Sequence, residues 1–139
     1  MKAIKKILVP LDGSKNSLRG LDNAIYLSRQ CGSTITGIFV IPSTKSVFEP
    51  IRYDRKLMQK EGNRLMKSAK IRSAQKGILF RHKISSGNPG KEIVEYARKN
   101  NFDLIVIGAR GIGAVKETFL GSTSQYVSHK AKSPVVIVK

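Results

Sequence analysis

The runs Ile7-Leu8-Val9 and Leu104-Ile105-Val106-Ile107 are apolar without alternation. A strand that is apolar on both sides must be covered on both faces, which is the condition of a parallel sheet between layers of helix. The rest of the chain reads accordingly. A first strand is predicted over Ile4 to Leu11, ending in Pro10-Leu11-Asp12-Gly13-Ser14, where Ser14 suits a helix N-cap. Leu18, Leu21, Ala24, Ile25 and Leu27 then recur at helical spacing until Cys31-Gly32. Thr34 to Ile41 is β-branched and apolar, a second strand stopped by Pro42, and a long helix is expected from about Ile51 to Gln75. Ile78 to Ile84 is a third strand. Asn88 caps a third helix with Pro89 at its first position, where the missing N–H costs nothing. Leu104 to Ile107, Ser122 to Lys130 and Val135 to Val138 follow as strand, helix and strand. This alternation predicts one α/β domain over residues 1–139: an open five-stranded parallel sheet with helices on both faces. Such sheets bind ligands beyond the carboxyl ends of the strands, where the strand order reverses. The loops after the first and fourth strands have the composition for it.

Composition narrows the function. One cysteine, Cys31, excludes an intramolecular disulfide framework and a thiolate zinc cluster, and it is expected to be a small buried hydrophobe. No apolar stretch approaches a membrane span, and the N-terminal residues lack the long apolar core and small-residue cleavage site of a leader, so a cytoplasmic protein is expected. The 26 Lys and Arg against 9 Asp and Glu give a net charge of +17, which attracts polyanions and says nothing about fold.

The loop after the fourth strand reads Gly108-Ala109-Arg110-Gly111-Ile112-Gly113, and nine residues separate Gly111 from Gly121-Ser122-Thr123-Ser124. Glycine at a strand end lets a ligand approach the backbone. A glycine followed by three hydroxyl residues at a helix start offers free N–H groups and a dipole that favour phosphate, and Arg110 can add a charge. The spacing is neither the dinucleotide Gly-x-Gly-x-x-Gly nor a P-loop. Turn glycines and a serine cap explain the same residues, and the residues alone leave both open.

The pattern Gly-x-x-Gly, nine residues, Gly-Ser, here Gly108, Gly111, Gly121 and Ser122, resembles the ATP-binding signature of the universal stress protein family. Ile7-Leu8-Val9-Pro10-Leu11-Asp12-Gly13-Ser14 is similar to the family's first strand and loop, and Leu120 to Ser124 with Ser133 to Val138 to its last helix and strand. The resemblance implies a Rossmann-like sheet of the adenine nucleotide alpha hydrolase type, with strand order 3-2-1-4-5, which puts the reversal between the first and fourth strands. It also implies roles. Asp12 would accept hydrogen bonds from ribose or adenine, beside Leu11; Val40 would meet adenine through its backbone; Pro10 and Gly108 would line the sugar. Gly111, Gly121, Ser122, Thr123 and Ser124 would hold phosphates, with Arg110 near them. Ala109 departs from the Ser or Thr often found there. The ligand implied is ATP, or ADP or AMP, with Mg²⁺ held through the phosphates. A homodimer through Val135 to Val138 is implied too, and an apolar edge strand suits that role.

Catalytic machinery is not evident. There is no Gly-x-Ser-x-Gly elbow, and His82, on a strand, and His129, late on a helix, have no partner spacing. Neither paired carboxylates nor a histidine–carboxylate cluster suggests a protein-held metal. The expectation is a nucleotide-dependent stress regulator or chaperone-like module, with a slow ATPase or nucleotide-transfer enzyme using Lys116 as one alternative. Another is a nucleic-acid-binding protein. Arg52, Lys56, Lys60, Arg64, Lys67 and Lys70 form a helical stripe opposite Met58, Gly62, Leu65 and Ala69. Such a stripe can follow phosphates or another acidic partner, or simply be a solvated face; lipid is disfavoured because the opposite face belongs to the core.

Overall fold

A computed structural model describes residues 2–43, 54–112 and 120–139. Its elements run β1 (Lys6–Pro10), α1 (Lys15–Cys31), β2 (Thr34–Pro42), α2 (Arg55–Ala74), β3 (Phe80–Gly87), α3 (Pro89–Lys99), β4 (Leu104–Gly108), α4 (Ser122–Lys130) and β5 (Val135–Val138). The five strands form one parallel sheet in the order β3-β2-β1-β4-β5. The doubly covered sheet read from Ile7-Leu8-Val9 and Leu104 to Ile107 is what forms. Ile7, Val9, Leu104 and Val106 point into one core with Leu21 and Ala24 of α1 and Met66 and Ala69 of α2. Leu8, Ile105 and Ile107 point into the other with Ile93 and Ala97 of α3 and Val127 of α4.

Local chemistry sets the helix ends. Ser14 Oγ accepts the Ser17 N–H at 3.1 Å, and Gly32 closes α1 in the left-handed region at φ 68°. Asn88 Oδ1 accepts the Lys91 N–H at 3.1 Å, with Pro89 behind it as expected. The helix predicted from Ile51 starts instead at Arg55, because the Asp54 carboxylate caps it from the Lys56 N–H at 3.0 Å; residues 51–53 lie outside the described residues.

The third strand begins later and ends later than its apolar residues suggest. Ile78 still belongs to the exit turn of α2, its N–H bonded to Ser73 O at 3.0 Å. At the far end Ser85, Ser86 and Gly87 remain in register with Val40, Ile41 and Pro42, so backbone pairing carries the strand past its apolar part. Cys31 is exposed rather than buried: the buried side of α1 ends at Ser28, whose carbonyl takes the Gly32 and Ser33 N–H groups, and Cys31 lies past it.

Candidate functional site

The order β3-β2-β1-β4-β5 reverses between β1 and β4, so the chain leaves those two strands in opposite directions and opens a crevice at their carboxyl ends. The loop after β1 supplies Asp12. Its Oδ1 accepts the Ser14 N–H at 2.9 Å, as short polar side chains at turns do, and its Oδ2 reaches across the crevice to the Ile112 N–H at 3.1 Å. Two of the four lone-pair positions of this carboxylate are thus taken by backbone donors.

The loop after β4 is shaped by what crowds it. A Cβ at Gly108 would lie 2.7 Å from both C and O of Asn16, so glycine there lets the first turn of α1 pass against the strand end. A Cβ at Gly111 would lie 2.4 Å from Asp12 Oδ2, so glycine there admits the bridging carboxylate. Ala109, 1% exposed, joins three segments: its N–H donates to Val138 O at 2.7 Å, and its carbonyl accepts the Gly121 N–H and the Ser124 hydroxyl, each at 2.7 Å.

That joint presents the start of α4 to the crevice. Gly121 is the N-cap residue at φ −73° and ψ 164°, with no side-chain cap, so Ser122 stands at the first helical position and is not the cap. The N–H groups of Ser122, Thr123 and Ser124 fall in the first turn, where a helix provides no acceptors of its own. A Cβ on Gly121 would make only ordinary contacts, 3.5 Å from Ala109 O and Arg110 Cα. Among the described residues nothing demands glycine at 121, unlike 108 and 111.

Between these loops lies a cavity of about 400 Å³. All of the residues singled out in the sequence border it: Pro10, Leu11, Asp12 and Val40 from one side, Gly108, Arg110 and Gly111 from another, Gly121, Ser122, Thr123 and Ser124 at the helix start. Their surroundings differ. Ser124 is 2% exposed and its single hydroxyl proton is committed to carbonyl oxygens of Ala109 and Gly121, which leaves its backbone N–H, not its side chain, for a ligand. The Ser122 side chain is exposed, and Thr123 and Arg110 are half-buried at the rim.

Sequence reasoning missed the apolar wall. Phe39, Pro42, Met58, Pro89 and Ile93 close the end beside Val40. Met58 and Phe39 had the spacing of core residues and are packed in the core, and nothing in a one-dimensional pattern shows that they also border a cavity. Ile112, 73% exposed, also borders it and carries no periodic signal.

Lys116 lies outside the described residues. His82 and His129 are exposed on β3 and α4, away from the cavity. Among the described residues Asp12 is the one carboxylate bordering the cavity, and no group of three His, Cys, Asp or Glu could hold a metal. No helix among them is long and apolar enough to cross a membrane. The arrangement can therefore do two things side by side: enclose a flat apolar group against Val40 and Met58, and receive an anion on N–H groups at the start of α4.

Comparison with known proteins finds the same architecture. The model of the Universal stress protein family matches residues 3–139. Universal stress protein YxiE of Bacillus subtilis is 34% identical, with 96% of this chain and 98% of that protein aligned. Universal stress protein MJ0531 of Methanocaldococcus jannaschii is 32% identical over 97% of this chain and 82% of its own length. Among solved structures, the hypothetical protein MJ0577 superposes with a TM-score of 0.87 at 28% identity, covering 99% of this chain and 97% of that one. A universal stress protein in complex with cAMP shares the fold at a TM-score of 0.78 and 22% identity, over 99% of each chain. One from Archaeoglobus fulgidus in complex with dAMP shares it at 0.73 and 20%, over 99% and 100%.

Proposed function

Given that this chain belongs to the universal stress protein family, we propose that its cavity binds ATP and that the protein acts as a nucleotide-dependent regulator or chaperone-like module in the cytoplasm. The observation that carries this reading is Gly121. Among the described residues no contact and no backbone strain calls for glycine there, yet it is glycine, bordering the cavity beside the first-turn N–H groups of α4. A phosphate seated on the start of α4 supplies the missing reason, since it would occupy the space of a side chain. In this arrangement the triphosphate lies along Gly111 and Gly121 to Ser124 with Arg110 at the rim. The sugar lies against Pro10, Leu11 and Gly108, with the remaining lone pairs of Asp12 as hydroxyl acceptors. The adenine lies against Val40 and the apolar wall. Two proteins of this fold hold the adenine nucleotides cAMP and dAMP, which supports the base assignment. Mg²⁺ would travel with the nucleotide's own phosphates, because Asp12 is the single described carboxylate at the cavity and is already engaged. The same engagement leaves it ill placed as a general base, which favours a binding role over rapid hydrolysis.

The protein pairs with a second copy through β5 in this reading. Among the described residues that strand is hydrogen-bonded on one side only, to β4, and Val136 on it is 37% exposed.

Mass spectrometry of nucleotide released by denaturing the purified protein tests the ligand. Stoichiometric ATP, ADP or AMP supports the assignment; no nucleotide released, together with no uptake of added ATP, removes it.

A further inference from the structure

The charge of this protein has a direction. Lys56, Lys60, Lys67 and Lys70 are exposed along α2, on a different side of the helix from its buried Gly62, Met66 and Ala69. At 3.6 residues per turn the four fall within an arc of about 80°, and at 1.5 Å per residue they span about 21 Å of the helix axis. They make no ion pair among the described residues. The arginines of the same helix are occupied: Arg64 donates to Glu61 at 2.7 Å, Arg72 to Asp22 at 2.7 Å and Arg55 to Ser86 at 2.9 Å. Glu61 is the one acid in α2. What remains is a row of ammonium groups without an ion pair among the described residues, carried on one helix of a protein of charge +17.

We propose that this face of α2 is a sequence-independent docking surface for duplex DNA. Duplex DNA carries one phosphate charge per about 1.7 Å of axis, so the four ammoniums face roughly a dozen phosphate charges, an excess that leaves each lysine a phosphate to neutralise. Its major groove is about 12 Å wide and admits a helix, whereas the major groove of A-form RNA is too deep and narrow. Single strands are disfavoured because α2 contains no aromatic residue on which a base could stack. The contacts are to phosphate rather than to base edges: the guanidinium groups that read guanine are engaged elsewhere, and lysine acts as a point charge. A membrane surface is disfavoured because the continuous apolar side of α2 is buried, leaving Leu57 and Ile71 as isolated exposed residues. The row faces away from the cavity, which α2 borders through Met58 on its other side, so DNA binding does not depend on the nucleotide assignment.

The test is fluorescence anisotropy of a labelled 20-base-pair duplex of arbitrary sequence with the intact protein. Four neutralised phosphates give a logarithmic salt slope of about −3.6, so affinity should fall about a hundredfold between 50 and 200 mM salt. Combined Lys56→Glu, Lys60→Glu, Lys67→Glu and Lys70→Glu should weaken binding about thirtyfold or more at 100 mM salt and flatten the slope. A control with the same charge change on α3, α4 and the following turn (Lys91→Glu, Lys99→Glu, Lys130→Glu, Lys132→Glu) should stay within about threefold, because distant charges are screened over about 10 Å. Combined Lys→Ala changes at the four α2 positions, which a helix accommodates well, should give the same ordering with a smaller loss. Equal losses in both charge-reversed proteins, no binding at 50 mM salt, or preferential α2-dependent binding to phosphatidylserine vesicles or single-stranded RNA would overturn the proposal.

Discussion

The Oδ2 of Asp12 accepts the backbone N–H of Ile112 at 3.1 Å across one hundred residues of sequence, tying the loop after β1 to the loop after β4. Its Oδ1 holds the Ser14 N–H at 2.9 Å, so one side chain sets both the entry to α1 and the floor of the cavity. Asp12→Ala removes both bonds and leaves backbone donors short of an acceptor. Hydrogen bonds to a charged group are worth about 1.5–3 kcal/mol each, so a stability loss on the order of 2 kcal/mol is expected in urea unfolding. Amide exchange at Ile112 should quicken in the same variant. An unchanged exchange rate there would show that the bridge does not hold the loop.

Gly108 and Gly121 look alike in sequence and are held by different things. A Cβ at Gly108 meets the Asn16 backbone at 2.7 Å, so Gly108→Ala should cost roughly 1–3 kcal/mol as α1 is pushed from the strand. Gly121→Ala should cost no more than about 1 kcal/mol, the usual penalty for alanine at an N-cap. Urea unfolding of the two variants side by side checks the order; equal costs would contradict the structural account of Gly108.

Asp103 gives the fold a dependence on acid. Burial works against its charge, but the N–H groups of Lys5 at 2.9 Å and Lys6 at 3.0 Å, with the Lys2 and Lys6 ammoniums, outweigh that and hold its carboxyl below the ordinary range. A carboxylate depressed in the folded state contributes stability that is complete above its unfolded value, about 3.9, and that is lost as pH falls through the folded value. Asp103→Asn should therefore be less stable than the parent by on the order of 1 kcal/mol at pH 7, with the gap closing below about pH 3. A gap that is constant with pH would mean that the charge contributes nothing.

The free edge of β5 predicts assembly. Sedimentation of the intact protein should report a dimer, and Val136→Lys, which places a charge on the exposed edge, should shift it to monomer. A monomer in both proteins would remove the β5 interface.

The sheet was legible because Ile7 to Val9 and Leu104 to Ile107 admit few other environments, and the helix ends because Ser14, Gly32, Asn88 and Pro89 each meet a local backbone need. The far half of β3 was not, because Ser85, Ser86 and Gly87 are held by pairing with β2, a long-range partner that no local pattern displays. The glycine spacing picked out loops that border the cavity but not the reasons for each residue. Gly108 and Gly111 are small for the sake of Asn16 and Asp12, and only the fold brings those neighbours to them. The hydroxyl of Ser124 turned inward for the same kind of reason, toward a carbonyl fifteen residues away. Met58 and Phe39 read as core and do pack in it, and that they also border the cavity leaves no mark on their periodicity.

Calorimetric titration with MgATP tests the central claim, that the start of α4 is a phosphate cradle. If Ser122 donates its hydroxyl to the phosphate as proposed, Ser122→Ala removes a bond worth about 1.5–3 kcal/mol and should weaken ATP roughly ten- to hundredfold. Gly121→Val puts a branched side chain where the proposed phosphate would sit and should weaken ATP further, while thermal melts should show both variants folded. Parent affinity in both folded variants would contradict the account and leave Gly121 and Ser122 as a turn and a helix start.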